Sequence, residues 1–457
     1  MKLRTISVVI AVTMLSGCAG LMHNNTAEKF NSHMVAGDYL AASQLAIENA
    51  GYDPKEKKVD DLLWAIEAGA SLSYAGQYDR SIEILDLSER MMKSEDQEGV
   101  MDSAAETGLS MLGNDAMMDY EQTQYDGVMT NTIKAWNFTF NNELADARVE
   151  WNRAEERQRR AAEYFSKQIK DQKDSEGDQD TSEYVSKSVQ SEETKKLLAK
   201  NGVTFEQWQP YAGYVNPYTT YSYGLNLLVN GKSKSDFKKA EDAFKRVYGL
   251  SKSKSVAEDI NLAKSLSQGK KSVTDGMVWV IFENGQSVVK EEFRVDLPVF
   301  LLSDDVSYAG IALPRLKERQ LAHKNIQIDG VKTETIADMD KIIGAEFEKE
   351  YPMILTREIT RTVLKTISQK QIMDSNQILG NIFAVAQVAT TSADTRSFTS
   401  LPKEFQTARF KKKSNSVKLK AGAHEMLVEL DANSTRHIVY VKAISPLVMP
   451  TVRVINI

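Results

Sequence analysis

Hydrophobic positions along the chain change their period twice. The first signal is an unbroken apolar run, Ile6 to Met14, behind the cations Lys2 and Arg4. Nine residues fall short of the about 20 that a bilayer-spanning helix needs, and they match the apolar core of a signal peptide. Helical spacing follows. Gly37-Asp38-Tyr39 and Gly76-Gln77-Tyr78 are each followed three residues on by a small side chain, Ala42 and Ser81. Glycine lets the chain turn, the small residue lets two helices approach closely, and Leu85 returns to the same face. Ala147 to Trp151 and Ala240 to Phe244 repeat an alanine-to-aromatic step of four, with Ala154 and Val247 continuing each stripe. Leading helices are predicted over Leu62–Tyr74, Val128–Phe140 and Tyr218–Val229. The paired helices and the alanine-to-aromatic step resemble tetratricopeptide hairpins, in a degenerate array with insertions.

After Gly276 the period falls towards two. Met277–Phe282 reads as a strand closed by Asn284-Gly285, a hairpin signal, with return strands at Val288–Leu297, Val299–Leu302 and Tyr308–Leu313, the last stopped by Pro314. Ile326–Ile328 precedes the turn Asp329-Gly330. Thr335 and Asp338 resemble a capping box for a helix bearing Ile336, Met339, Ile343 and Phe347 and ended by Pro352. Arg357–Lys370 is a second helix. Ile378–Ala389 is a third apolar segment, again too short to cross a membrane. Four short runs, Val417–Leu419, Glu425–Leu430, Ile438–Ala443 and Thr451–Ile455, predict a small antiparallel sheet or sandwich.

The expected fold class is therefore α+β. A signal peptide occupies residues 1–17. A tetratricopeptide-like helical array covers 18–275, with a charged, solvated insertion near 171–200. A mixed α/β domain covers 276–402, and a small β module covers 403–457.

Composition narrows the chemistry. Of 457 residues, 57 are basic and 63 acidic, giving a net charge of −6, which argues against nucleic acid as a partner. The single cysteine, Cys18, excludes internal disulfides and cysteine-based zinc clusters. No two of the five histidines lie at i, i+3 or i+4, so neither a metal nor a cofactor is expected. Gly231-Lys232-Ser233 lacks the upstream glycine of a phosphate loop. No nucleophile elbow or dinucleotide loop is present. No reaction is expected of this chain.

Cys18 has a special position. Leu15-Ser16-Gly17-Cys18 resembles a bacterial lipobox, whose thiol takes a diacylglycerol thioether. Ala19 behind it favours the outer membrane over the inner. The expectation is a body anchored by N-terminal lipid, palmitate included, facing the periplasm rather than spanning the membrane.

With lipobox and repeats together, the chain resembles a family of tetratricopeptide-containing bacterial outer-membrane lipoproteins. The resemblance rests on Gly113-Asn114-Asp115, Tyr120, Tyr125-Asp126, the stretch Ala147 to Ala154, Val215 to Tyr218, Ile311 to Arg315, Glu346-Phe347, Arg357, Arg361, Ala393 to Phe398 and Leu401-Pro402. Phe398 stands where the family pattern implies tryptophan. The resemblance implies envelope work, because relatives are encoded near lipoproteins that activate penicillin-binding proteins. It lends no catalytic residues.

Candidate contacts to a partner or ligand are Tyr214, Tyr218 and Tyr221, an aromatic cluster around Pro217 for which packing within the helical hairpins is the competing reading, and the charged set Arg357, Arg361, Asp394 and Arg396. The expected function is an interaction scaffold for an envelope protein, in envelope biogenesis or assembly of a surface structure. The alternative is a peptidoglycan- or glycan-binding module regulating cell-wall synthesis. For the charged set, a salt-bridge network joining the α/β layers competes with an anion site.

Overall fold

The computed structural model describes residues 24–98, 119–174, 187–204, 208, 211, 215–270, 273–300, 306–375 and 392–457. Cys18, Tyr214, Gly113-Asn114-Asp115 and the segment Ile378–Ala389 lie outside the described residues. Among the described residues, no helix is long and apolar enough to cross a membrane.

The chain is mixed helix and sheet. Helices α1 (24–36) and α2 (Tyr39–Asn49) lead into α3 (Leu62–Tyr74) and α4 (Tyr78–Glu98). Then come α5 (Gln124–Phe140), α6 (Leu144–Asp174), α7 (Glu192–Lys200), α8 (Pro217–Asn230), α9 (Lys234–Ser251) and α10 (Lys254–Ser267). Sequence neighbours pack on one another: α2 on α3, α3 on α4, α5 on α6, α8 on α9 and α9 on α10. The glycine turns form as read, with Gly37 at φ +78° and Gly76 at φ +74°. Close approach is real at Gly69, where an added Cβ would lie 2.2 Å from a methyl of Leu85, and there Ser81 donates to the Gly69 carbonyl at 2.5 Å. Helix α3 is buried on every side, and it takes the polar Glu67, Ser71 and Ser73 inside with it.

The strands are β1 (Met277–Asn284), β2 (Val289–Phe300), β3 (Val306–Lys317), β4 (Gln327–Ile328), β5 (Val331–Lys332) and β6 (Glu334–Asp338). After helix α11 (Met339–Ser375) come β7 (Glu404–Lys411), β8 (Ser416–Ala421), β9 (His424–Glu429), β10 (His437–Ala443) and β11 (Thr451–Asn456). A five-stranded sheet runs β11-β10-β1-β7-β6, and a four-stranded sheet runs β5-β4-β8-β9. β1 lies parallel to β10 and antiparallel to β7. Its Val278, Val280 and Phe282 share an aliphatic core with Val417 and Leu419 of β8, while Trp279 and Ile281 join the core of the helices. The order of layers is thus helices, five-stranded sheet, four-stranded sheet.

This arrangement corrects several expectations. The last four runs do not form a module of their own: β10 and β11 extend the sheet begun at Met277, and β8 and β9 join β4 and β5 in the other. Asn284-Gly285 makes no hairpin. Asn284 is buried and exchanges hydrogen bonds with the backbone of His323, donating at 2.6 Å and accepting at 3.1 Å. An added Cβ at Gly285 would sit 2.6 Å from the Gln320 carbonyl, so the chain crosses close beneath another segment. The hairpin lies instead between β2 and β3, paired from Val289 with Lys317 to Phe300 with Val306. Pro314 is carried inside β3 because both strands of a two-stranded ribbon are edges, where its missing N–H is tolerated.

Thr335 and Asp338 sit in β6, and Asp338 caps α11 by accepting from the Asp340 N–H at 3.0 Å. Pro352 does not end that helix. It is exposed, where water can serve the orphaned carbonyl, while Tyr351 and Leu355 beside it are buried against Phe293, Val295, Ile311 and Leu313 of the ribbon. The charged insertion is ordered at its end, because Leu198 of α7 is buried in that same cluster.

Candidate functional site

A cavity of about 640 Å³ opens between α1, α3, the base of the β2–β3 ribbon and the 392–403 loop. Helices α1 and α3 bring Phe30, Leu63 and Trp64 to it, with the Phe30 and Trp64 rings edge to face at 5.8 Å. Phe398 and Leu401, each 1% exposed, anchor the loop in the core. Its polar residues Thr395, Ser397 and Thr399 then line the cavity.

Two charged side chains tie the cavity wall together. Glu67 lies in the middle of buried α3 and accepts from the Thr399 N–H (2.5 Å), the Thr399 hydroxyl (2.7 Å) and the Ser400 N–H (3.2 Å). Burial pushes its carboxyl up to about 7, against the lowering effect of those bonds. Arg319 donates to the Ser287 carbonyl (2.5 Å), to Asn31 Oδ1 (3.0 Å) and to the Thr399 carbonyl. Burial pulls its guanidinium down to about 10, so it stays charged at neutral pH. The Ser397 hydroxyl is buried on this wall with no hydrogen-bond partner among the described atoms. Glu67 and Arg319 are spent on holding the loop, so the Ser397 hydroxyl is the group left to meet a polar part of a ligand over the apolar floor of Phe30, Leu63 and Trp64.

The residues singled out in the sequence are distributed differently. Tyr218 and Tyr221 face no solvent, and the partner-contact expectation for them is corrected. Tyr218 stacks on Phe405 with ring centres 3.6 Å apart, and its hydroxyl meets Tyr440 and Glu283. Tyr221 donates to Asp259 Oδ2 at 2.9 Å and meets the Thr407 hydroxyl at 3.0 Å. Both are fully buried, because α8 packs directly against the five-stranded sheet. Arg361 is also buried, paired with Glu358 at 2.6 Å on its own helix, which removes it from any surface site. Arg357 is exposed one turn earlier.

Asp394 and Arg396 form a bidentate pair at 3.0 and 2.9 Å, with the Arg396 N–H closing the turn onto Asp394 at 3.0 Å. Burial alone would raise the Asp394 carboxyl, but Arg396 outweighs it and holds it below the ordinary carboxylate range. The pair stiffens the loop that carries the cavity-lining residues, and Arg396 lies over the Tyr120 ring at 5.7 Å.

Sequence reasoning missed Glu67 and Arg319. Glu67 had a legible signal: it interrupts the apolar run Leu62 to Leu72, so one charge must be buried with it. Arg319 had none, since nothing in its neighbours marks the loop after β3 as partly buried. Among the described residues, no group of three or more histidine, cysteine, aspartate or glutamate side chains is arranged to hold a metal ion. No known protein family, curated protein or solved structure matches the chain.

Proposed function

We propose that the chain is a lipid-anchored outer-membrane protein, facing the periplasm, whose tetratricopeptide-like helical layer and cavity hold a segment of an envelope partner. In this reading Cys18 carries the lipid and the protein binds rather than transforms its ligand. One observation carries it. Asn24, six residues beyond Cys18, lines the cavity, and six residues reach at most about 20 Å. A ligand in the cavity is then held against the membrane surface. Glu67 and Arg319 support the same reading, because both are committed to positioning backbone.

The test is site-specific photocrosslinking in cells from Val35, which lines the cavity and is 44% exposed. The expected result is one or a few envelope proteins captured from membranes, lost together with membrane association in Cys18→Ala. Capture of nothing from a correctly localised protein would defeat the partner reading. The glycan-binding alternative draws on the Trp64 ring beside hydrogen-bonding groups in the same wall, and it predicts sedimentation with purified peptidoglycan.

A further inference from the structure

A second cavity, of about 300 Å³, lies between the α3–α4 turn, the end of α5 and strands β10 and β11. Its walls are aromatic: Tyr74, Tyr78, Phe140 and Tyr440. Its charged lining is of one sign, Lys442 and Arg453, with no acid among the lining residues.

Lys442 is the unusual member. It sits on β10, an interior strand between β11 and β1, and is 8% exposed. Its ammonium lies over the Tyr74 ring at 4.3 Å, reaches the Ser73 hydroxyl at 3.3 Å and stands 3.6 Å from Glu283 Oε2. An ammonium has three donors. Ser73 takes one weakly, and Glu283 Oε2 is its counter-ion, while the other Glu283 oxygen accepts the hydroxyls of Tyr440 and Tyr218. That leaves one donor of a buried ammonium beside a cavity, where an acceptor would satisfy it. Arg453, exposed at the rim, is held by the Phe140 carbonyl at 3.2 Å and lies over the Tyr78 ring at 5.8 Å. Two cations at different depths, with four rings between them, favour an anion on a flat apolar body. The volume is at the low end for small-molecule sites and admits one ring and its acid group.

We propose that this cavity is a binding site for a carboxylate carried on a flat apolar group, with Lys442 and Arg453 taking the carboxylate and Tyr74, Tyr78 and Phe140 the body. It is distinct from the cavity at α1 and does not depend on the membrane reading. The chemistry fits a free aromatic acid or a polypeptide ending in an aromatic residue.

Calorimetry on the full mature chain tests it, with 3-phenylpropionate, its neutral amide and the tripeptide Ala-Ala-Phe as probes. Saturable binding of the acid and none of the amide is expected. Arg453→Gln should weaken the acid by about tenfold or more, the scale of a lost charge-assisted contact. Thr451→Trp should abolish binding by filling the mouth from a partly exposed edge-strand position. Lys442→Met leaves Glu283 without its cation and is read only if it folds, so the edge variants decide the matter. Tighter binding of the tripeptide assigns a chain terminus as the natural ligand, and tighter binding of the free acid assigns a small molecule. Equal binding of acid and amide, preference for inorganic phosphate, or wild-type affinity in Thr451→Trp would overturn the proposal.

Discussion

The two faces of β1 share one backbone and have opposite characters. Val278, Val280 and Phe282 point into an aliphatic layer against β8 and β10. Trp279, Ile281 and Glu283, one residue out of step, face the helices. There Trp279 donates its indole N–H to Asp259 at 2.9 Å, and Glu283 accepts from Tyr440 and Tyr218. Burial is equally complete on both faces, yet only the second demands particular partners. Non-directional burial closes the sandwich, whereas directional bonds fix how the helices sit on the sheet. Both cavities open on the helix side, where polar groups are already held in place.

The dry face should show the largest single effect. Phe282→Ala removes a fully buried ring and is expected to cost about 3–5 kcal/mol in urea unfolding. Phe282→Leu, which keeps most of the volume, should cost far less. If the two were equally damaging, the dry face would be as specific as the wet one and the contrast would collapse.

Asp259 gives the wet-face counterpart. It accepts from Trp279 and Tyr221 and lies 3.6 Å from Arg409. Asp259→Asn keeps the shape but turns an acceptor into a donor, with an expected cost of about 1–3 kcal/mol. It should also change the pH profile. Burial raises the Asp259 carboxyl from 3.8 to about 6, despite Arg409. The folded state therefore holds this proton more tightly than the unfolded chain. The resulting stability is fully present below about 3.8 and is lost as pH rises through about 6.

Glu89 acts in the opposite sense. Burial would raise it, but Lys134 at 2.7 Å prevails and holds it down at about 2 from 4.5. Its contribution is fully present above about 4.5 and is lost as pH falls through about 2. Melting temperature against pH should thus fall on both sides. Asp259→Asn should flatten the neutral limb and Glu89→Gln the acid one. An unchanged neutral limb in Asp259→Asn would remove Asp259 as its source.

A smaller effect is expected at Tyr440. Tyr440→Phe keeps the ring edge to face with Trp136 and Phe140 and deletes only the hydroxyl shared with Tyr218 and Glu283. The expected cost is about 1 kcal/mol. The same change on a dry face would have no hydroxyl to lose, so a null result here would show that the polar network orients the helices without stabilising the fold.

Much of this layout was legible in the sequence. Leu62–Tyr74 is a helix over the span predicted, and Pro217 opens α8 with Asn216 as its cap. The four terminal runs are strands. Partnership was not legible. Nothing local says that Met277–Asn284 pairs with a strand more than 150 residues away, so Asn284-Gly285 read as a hairpin. The sequence left Tyr218 and Tyr221 between a groove and hairpin packing, because their partners, Phe405, Asp259 and Tyr440, come from distant segments. A surer signal was passed over: single charges inside apolar runs, Glu67, Lys134 and Lys442, each mark a buried polar contact. His437 is buried in the same way, accepting from Lys412 at 3.1 Å and donating to Asn456 at 2.9 Å.

The least effect is expected where the sheet finally meets water. On β9, Val428 is 5% exposed and Leu427 is 70% exposed, so adjacent residues report the inner and outer faces of the second sheet. Leu427→Lys should leave stability within about 0.5 kcal/mol, and its charge on an edge strand should discourage strand-to-strand association. Val428→Lys puts the same charge among Val417, Leu419 and Phe282 and should unfold the sandwich. Thermal melts of the two variants test the register directly, because a slip of one residue exchanges their outcomes. A destabilised Leu427→Lys beside a tolerant Val428→Lys would mean that the dry face of β1 is covered by the other side of β9.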